Sequence, residues 1–283
     1  MLFGVKLPGM NSLVAPPPSA SVPLADGRVL CFARYGASGG RPVLYLHGAG
    51  SSRIEGAVYD EAARAAGVEV IAPDRPGCGG SSPDPRRAHA SYTYASYAAD
   101  LCELADALGT PRFVVAGMSN GGAYAMAAAA RLRDRVTAAI PINATTPVHD
   151  PMAWRASPLS TRLSYVLLRH APFLAQRGVR RFAASGHGPL HRAAREALRQ
   201  PHSGYIAQEV RLASTDWGFD HAAVAQPVEI FSGERDPGHG YAPAWARRLP
   251  AGRLHVIAGG HGDFGAPAAV EKIVAAMVAA PAS

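Results

Sequence analysis

The chain has 283 residues, 48% of them hydrophobic and 17% charged, with a formal net charge of +7. This is the balance of a globular protein with a sizeable core, long enough for one large α/β domain or a core with an inserted subdomain. No apolar stretch reaches the roughly 18 residues that span a bilayer, and three scattered cysteines, odd in number, argue against a disulfide framework or a metal knot. Cys31, Cys78 and Cys102 are expected to be free thiols in a reducing compartment, so cytoplasm is the default. Pro8, Gly9 and Asn11 break up the segment after Lys6, which argues against a secretory signal. The positive charge is local. Ten arginines but only two acids, Glu196 and Glu209, lie between Arg155 and Arg211, and the rest of the chain is close to neutral.

Residues 1–24, with Pro16-Pro17-Pro18, read as an extended or loosely packed arm. Asp26-Gly27 predicts a turn between two short strands, the second being Val29 to Tyr35. Pro42 to Leu46 and Val68 to Ala72 have the character of buried parallel strands, with a helix over 55–66 between them. Tyr94 to Leu108 carries Tyr97, Leu101, Leu104 and Leu108 at helical spacing and is closed by Gly109. The run Arg112 to Met118 then breaks into Gly117-Met118-Ser119-Asn120-Gly121 and resumes as the Ala-rich helix Ala123 to Arg131, followed by a strand over Val136 to Ile142. Up to this point strand and helix alternate, which predicts a doubly wound, mainly parallel sheet: an α/β fold with ligands beyond the carboxyl ends of its strands.

From 145 to 214 the alternation stops. Helices are expected over Leu159 to Leu168, Phe173 to Ala184 and His191 to Arg199, within an insert too long for an ordinary loop. Strands resume at 227–231 and 253–257, and helices come after them at Ala242 to Leu249 and Ala268 to Ala279. The domains are thus a core over 25–144 and 215–283 with a helical insert over 145–214.

A Ser at the apex of a strand-to-helix turn, with glycines two residues to either side, is a candidate nucleophile. Asp236 and His261 each fall just past a predicted strand, so the chain order is Ser119, Asp236, His261. With these residues the chain resembles the α/β-hydrolase superfamily, in its cap-bearing esterase, peptidase and lactonase-like branch. The resemblance runs from about residue 25 onward. It rests on His47-Gly48-Ala49-Gly50-Ser51-Ser52-Arg53, Asp74-Arg75-Pro76-Gly77-Cys78-Gly79-Gly80-Ser81, Gly117 to Gly122, Gly233-Glu234-Arg235-Asp236 and Gly259-Gly260-His261.

Acyl transfer needs a base to take the Ser hydroxyl proton, a role that suits His261, and an acid to fix the imidazole tautomer, a role that suits Asp236. The resemblance implies oxyanion donors at the backbone N–H groups of Ala49 and Asn120. It implies site-shaping roles for His47, Gly48, Gly117 and Gly121, and a loop under the site at Asp74 to Gly77. Glu234 and Asp150 are the rival acids, and His239 and His255 the rival bases. Asp263 reads as a cap for the last helix. Relatives often carry Pro where Gly50 stands, which implies a more flexible oxyanion loop here.

By analogy the insert is a cap over the catalytic mouth, with Trp154, Leu159, Tyr165, Leu168, Phe173, Phe182 and Trp217 as pocket wall or cap core. Its arginines form either a solvated face or a field for an anionic or carrier-linked acyl substrate. The expected activity is cleavage of an ester, lactone, thioester or small amide through an acyl-serine, with neither metal nor organic cofactor. Two alternatives stand beside it: acyltransferase, cyclase or lyase chemistry on the same site, and a binding protein with a degenerate site. The expected partner is a small-molecule acyl substrate, with neither nucleic acid nor membrane, and the assembly a monomer or homodimer.

Overall fold

A computed structural model describes residues 19–281 except Ala90 and Pro201, so most of the arm expected over 1–24 lies outside the described residues. Eight strands form one sheet: β1 (Ala20–Pro23), β2 (Val29–Gly36), β3 (Arg41–Leu46), β4 (Val68–Pro73), β5 (Phe113–Met118), β6 (Val136–Ile142), β7 (Val228–Gly233) and β8 (Gly252–Ile257). Their spatial order is β1-β2-β4-β3-β5-β6-β7-β8. β1 and β2 pair antiparallel, as do β2 and β4, and every other pairing is parallel. The end of the expected arm therefore belongs to the sheet, because β1 pairs with β2 across the Asp26-Gly27 turn.

Strand periodicity divides the core in two. In β3, Leu44 and Leu46 face the layer built from α2 (Ala98–Ala107), α3 (Asn120–Arg131) and α9 (Ala242–Arg248), where Leu101, Leu104, Ala127 and Trp245 pack. Val43 and Tyr45 face the opposite layer of α1 (Asp60–Ala65) and α10 (Pro267–Ala279), with Ala63, Ile273, Val274 and Met277. A strand covered on both faces is largely apolar, which is why β5 reads as a continuous hydrophobic run and β3 and β4 do so apart from Arg41 and Glu69.

Among the described residues, five α-helices lie between β6 and β7: α4 (Pro151–Ala156), α5 (Leu159–His170), α6 (Pro172–Ala184), α7 (Pro189–Ala197) and α8 (Tyr205–Ala213). The sequence reading lacks α4 and α8. Asp150 starts α4 by accepting from the Met152 N–H at 2.8 Å, ahead of Pro151 at the first helical position. α8 begins after Gly204, whose φ is 70°, and buries Tyr205, Ile206, Glu209 and Leu212. A carboxylate in the middle of that stripe hides it from a hydrophobic pattern. The helix expected over 55–66 opens instead as a 3-10 segment, Arg53–Tyr59, and becomes α-helical only at Asp60. Among the described residues, no helix is long and apolar enough to cross a membrane.

Candidate active site

Ser119 stands between the end of β5 and the start of α3 with φ 56° and ψ −122°, a backbone region that L-residues rarely occupy. The glycines around it are required by contact. A Cβ on Gly117 would lie 2.2 Å from the Gly121 carbonyl oxygen, and one on Gly121 would lie 1.8 Å from that of Leu46. Strand, turn and helix thus cross with no room for a side chain, and the turn presents Ser119 at the first turn of α3. The positive end of that helix faces the same point.

The structure brings the three residues ordered along the chain together. His261 Nε2 lies 3.0 Å from Ser119 Oγ, and His261 Nδ1 lies 2.6 Å from Asp236 Oδ2. Asp236 is buried, and its other oxygen accepts from the Gly238 N–H at 2.7 Å. The rivals are elsewhere engaged. Glu234 is half exposed beside Arg235, Asp150 accepts from Tyr241 and pairs with Arg248, His239 meets Ser232 Oγ, and His255 meets Glu229. A water-sized cavity of about 20 Å³ behind Asp236 is lined by Thr145, Thr146 and Tyr241, among others.

Asn143 carries no charge and so cannot be the acid, but it holds the site together. At the end of β6 with φ 41°, it accepts from the Gly233 N–H at 2.7 Å and donates to the His261 carbonyl at 3.0 Å. It therefore ties the loops that carry Asp236 and His261. Asp263 does not cap α10: its carboxylate accepts the Gly260 N–H at 2.7 Å, while Ala266 occupies the cap position. Proximity decides this, since Asp263 sits a full turn before the helix and folds back on the histidine loop.

His47, Gly48, Ala49 and Gly50 lie just past β3. His47 is fully buried, and burial, reinforced by the Arg75 charge, presses its pKa well below the usual imidazole range. Its Nδ1 meets the Gly48 carbonyl at 3.0 Å, and Nε2 lies 3.4 Å from the Arg75 backbone nitrogen. Glu55 accepts from Tyr45 OH at 2.8 Å and from the Gly48 N–H at 3.0 Å, and burial pushes its carboxyl up. Gly50 is not a point of slack. It is buried with φ 73°, and Val179 of α6 packs directly on it.

The loop after β4 lies beneath this turn. Arg75 is fully buried and donates to the His47 carbonyl at 2.5 Å and the Gly48 carbonyl at 2.9 Å. It pairs with Glu209 of α8 at 3.0 Å, and Arg87 pairs with the same carboxylate at 2.6 Å. Burial pushes Glu209 up, but the two guanidinium charges outweigh it and hold the carboxyl below its usual range. Arg53 joins Asp74 at 2.5 Å to Glu196 of α7 at 2.8 Å, a second polar tie between core and insert.

Among the described residues, His47, Asp74 and Cys78 place potential metal-ligand atoms within 4.8 Å of one another. The donor set suits a hydrogen-bonded cluster better than a cation. Asp74 already accepts from Arg53 and from Gly80, and burial pushes the Cys78 thiol well above its usual value.

The aromatic and aliphatic residues assigned to the insert divide. The half-buried Tyr165 turns its enclosed phenol toward the Thr146 N–H and the Asp236 charge, and burial raises its pKa. Leu159 and Phe173 are instead mostly exposed and line no core. Trp217 belongs to the main core, with ring centroids 5.6 Å from Tyr94 and 6.1 Å from Trp245.

Comparison with known proteins agrees with this architecture. A hydrolase from Pseudomonas aeruginosa superposes with a TM-score of 0.70 at 20% identity, covering 93% of this chain and 98% of that one. An esterase from Thermogutta terrifontis gives 0.65 at 25% identity over 92% and 96%. A proline iminopeptidase from Lactobacillus delbrueckii is 36% identical over 86 residues, 30% of this chain and only 29% of the relative's length. The family model described as alpha/beta hydrolase fold matches residues 41–264. The eight-stranded sheet and this match over most of the sequence place the chain in the alpha/beta hydrolase fold family.

Proposed function

We propose that the chain is a cytoplasmic serine hydrolase that cleaves an ester, lactone, thioester or small amide through an acyl-Ser119 intermediate. One observation carries the reading: a single imidazole, His261, spans Ser119 Oγ and Asp236 Oδ2 at 3.0 and 2.6 Å. In this mechanism His261 takes the hydroxyl proton as Ser119 Oγ bonds to the acyl carbon. The carbonyl π electrons move onto oxygen, facing the N–H groups of Ala49 and Asn120. Collapse expels the leaving group, which receives the proton from His261. Water then repeats the cycle in reverse and frees the acid. The His261 side chain is 36% exposed, so a deacylating water has access, which favours hydrolysis over transfer to another acceptor.

The charge around the site narrows the substrate. The three acids of the insert, Asp150, Glu196 and Glu209, are held by Arg248, by Arg53 and by Arg75 with Arg87 respectively. The insert therefore offers a free cationic amino terminus little stabilisation, and its arginines favour a neutral or anionic acyl group.

Wild type and Ser119→Ala should be incubated with a fluorophosphonate, with acyl p-nitrophenyl esters of graded length and with proline p-nitroanilide. The expected result is Ser119-dependent labelling and ester turnover well above anilide turnover. Labelling without hydrolysis would move the reading to acyl transfer, and turnover that survives Ser119→Ala would sink it.

A further inference from the structure

We propose that Glu209, supplied by the helical insert, is a positioning residue that aims both oxyanion donors. The inference rests on the serine-hydrolase reading of the site. Glu209 is fully buried on α8, and two of its carboxylate's partners, Arg75 and Asn120, belong to the site. One oxygen is ion-paired with Arg75 at 3.0 Å and accepts from Asn120 Nδ2 at 3.1 Å, and the other accepts from Arg87 at 2.6 Å and Tyr124 OH at 3.0 Å.

The Arg75 contact acts on Ala49. A trans peptide points its C=O and N–H in opposite directions. Arg75 holds the Gly48 carbonyl at 2.9 Å, so the N–H across that peptide, which belongs to Ala49, is turned away from the arginine. Ser119 lies close to this peptide: a Cβ on Gly48 would be 3.6 Å from Ser119 Cβ. Glu209 fixes the guanidinium that fixes this peptide.

The Asn120 contact acts on the other donor. Glu209 binds Asn120 Nδ2 through its carboxylate and through its backbone carbonyl, both at 3.1 Å. The Asn120 oxygen accepts from Thr145 Oγ1 at 2.6 Å and Tyr94 OH at 3.1 Å. With its side chain held at both ends, the residue after the nucleophile cannot turn its N–H off the site. A buried charge cluster is a poor way to gain stability, since apolar side chains of similar volume usually serve as well. It is a good way to fix orientation. The two arginines and one carboxylate also leave a net positive charge beneath the developing oxyanion.

The test compares an ester with its thionoester in wild type, Glu209→Gln and Asn120→Ala. Donors placed for an oxygen anion serve a larger, weakly accepting sulfur poorly, so the ester-to-thionoester ratio of kcat/KM reports alignment of the hole. We expect a wild-type ratio above about tenfold that shrinks several-fold toward one in both variants, with the loss in kcat and KM within about twofold. A purely structural role would lower the active fraction for both substrates equally and leave the ratio unchanged, which overturns the proposal, as does a wild-type ratio near one. If Glu209→Gln fails to fold, Asn120→Ala decides, because it leaves the Glu209 carboxylate paired with both arginines. Absence of Ser119-dependent turnover in wild type overturns the underlying reading and this one with it; turnover with an unchanged ratio overturns this one alone.

Discussion

Val179 of α6 sits on Gly50 so closely that a Cβ added to the glycine would come within 2.5 Å of Val179 Cγ2. The insert therefore presses directly on the turn that carries Ala49, and the Gly50 φ of 73° adds a second demand for glycine. Gly50→Ala should cost about 2–4 kcal/mol, from left-handed strain plus the overlap. Val179→Ala in that background should restore part of the loss, with a coupling above about 0.5 kcal/mol by chemical denaturation. Additive single effects would show that the contact carries nothing. Gly50→Pro should not fold to an active protein, since proline holds φ near −65°.

Ser119 stores backbone strain at φ 56°, ψ −122°. Replacement by glycine removes that strain, worth about 1–3 kcal/mol, against about 0.4–1 kcal/mol of added unfolded-chain entropy. Ser119→Gly should therefore be about 1 kcal/mol more stable than wild type and melt at a higher temperature, while losing all ester turnover. A lower melting temperature would mean that the hydroxyl, not the backbone, dominates stability at this turn.

How far the sequence carried these readings depended on the range of the interactions. Gly117, Ser119 and Gly121 were legible because they mark the strand-to-helix turn within five residues, although the carbonyl that bars a side chain at Gly121 is that of the distant Leu46. Asp236 and His261 were legible because each ends a strand, and the carboxyl ends of parallel strands converge. Glu209 was not. Its burial makes sense only once Arg75 and Arg87, more than a hundred residues earlier in the chain, arrive at 3.0 and 2.6 Å. Asp263 shows the opposite failure: a local capping pattern was plausible, but the side chain folded back onto Gly260. Leu159 and Phe173 have core-like identities, yet their exposure is set by which helix faces meet, and helical spacing does not specify that.

Acid should destabilise the fold through histidines held neutral in the native state. His221 stacks 5.0 Å from Trp217, meets Trp245 Nε1 at 2.8 Å, and has its pKa pressed by burial down to about 4. His47 is lowered well below 6.5 by burial and Arg75. A histidine whose folded pKa is depressed stays neutral in the native state while the unfolded chain binds a proton. Stability is therefore full above pH 6.5 and falls as pH drops toward the folded value. His221 alone should contribute a loss on the order of 3 kcal/mol between pH 6.5 and 4. Denaturation at a series of pH values should show a shallower acid slope for His221→Phe than for wild type; equal slopes would discard His221 as the cause.

The assignment of the acid can be separated from its nearest competitor by charge alone. Asp236 is buried with one oxygen on His261 at 2.6 Å, whereas the Glu234 side chain is 52% exposed against Arg235. Asp236→Asn keeps shape but removes the charge that stabilises the imidazolium and favours the wrong tautomer. It should lower kcat by about 10³–10⁴-fold, the scale of the same change in the chymotrypsin triad. Glu234→Gln should leave kcat within about twofold, because a solvent-screened surface pair is worth under about 1 kcal/mol. Steady-state kinetics on one good ester decides it. A large loss in Glu234→Gln together with a small one in Asp236→Asn would reverse the assignment and require the loop after β7 to rearrange when substrate binds.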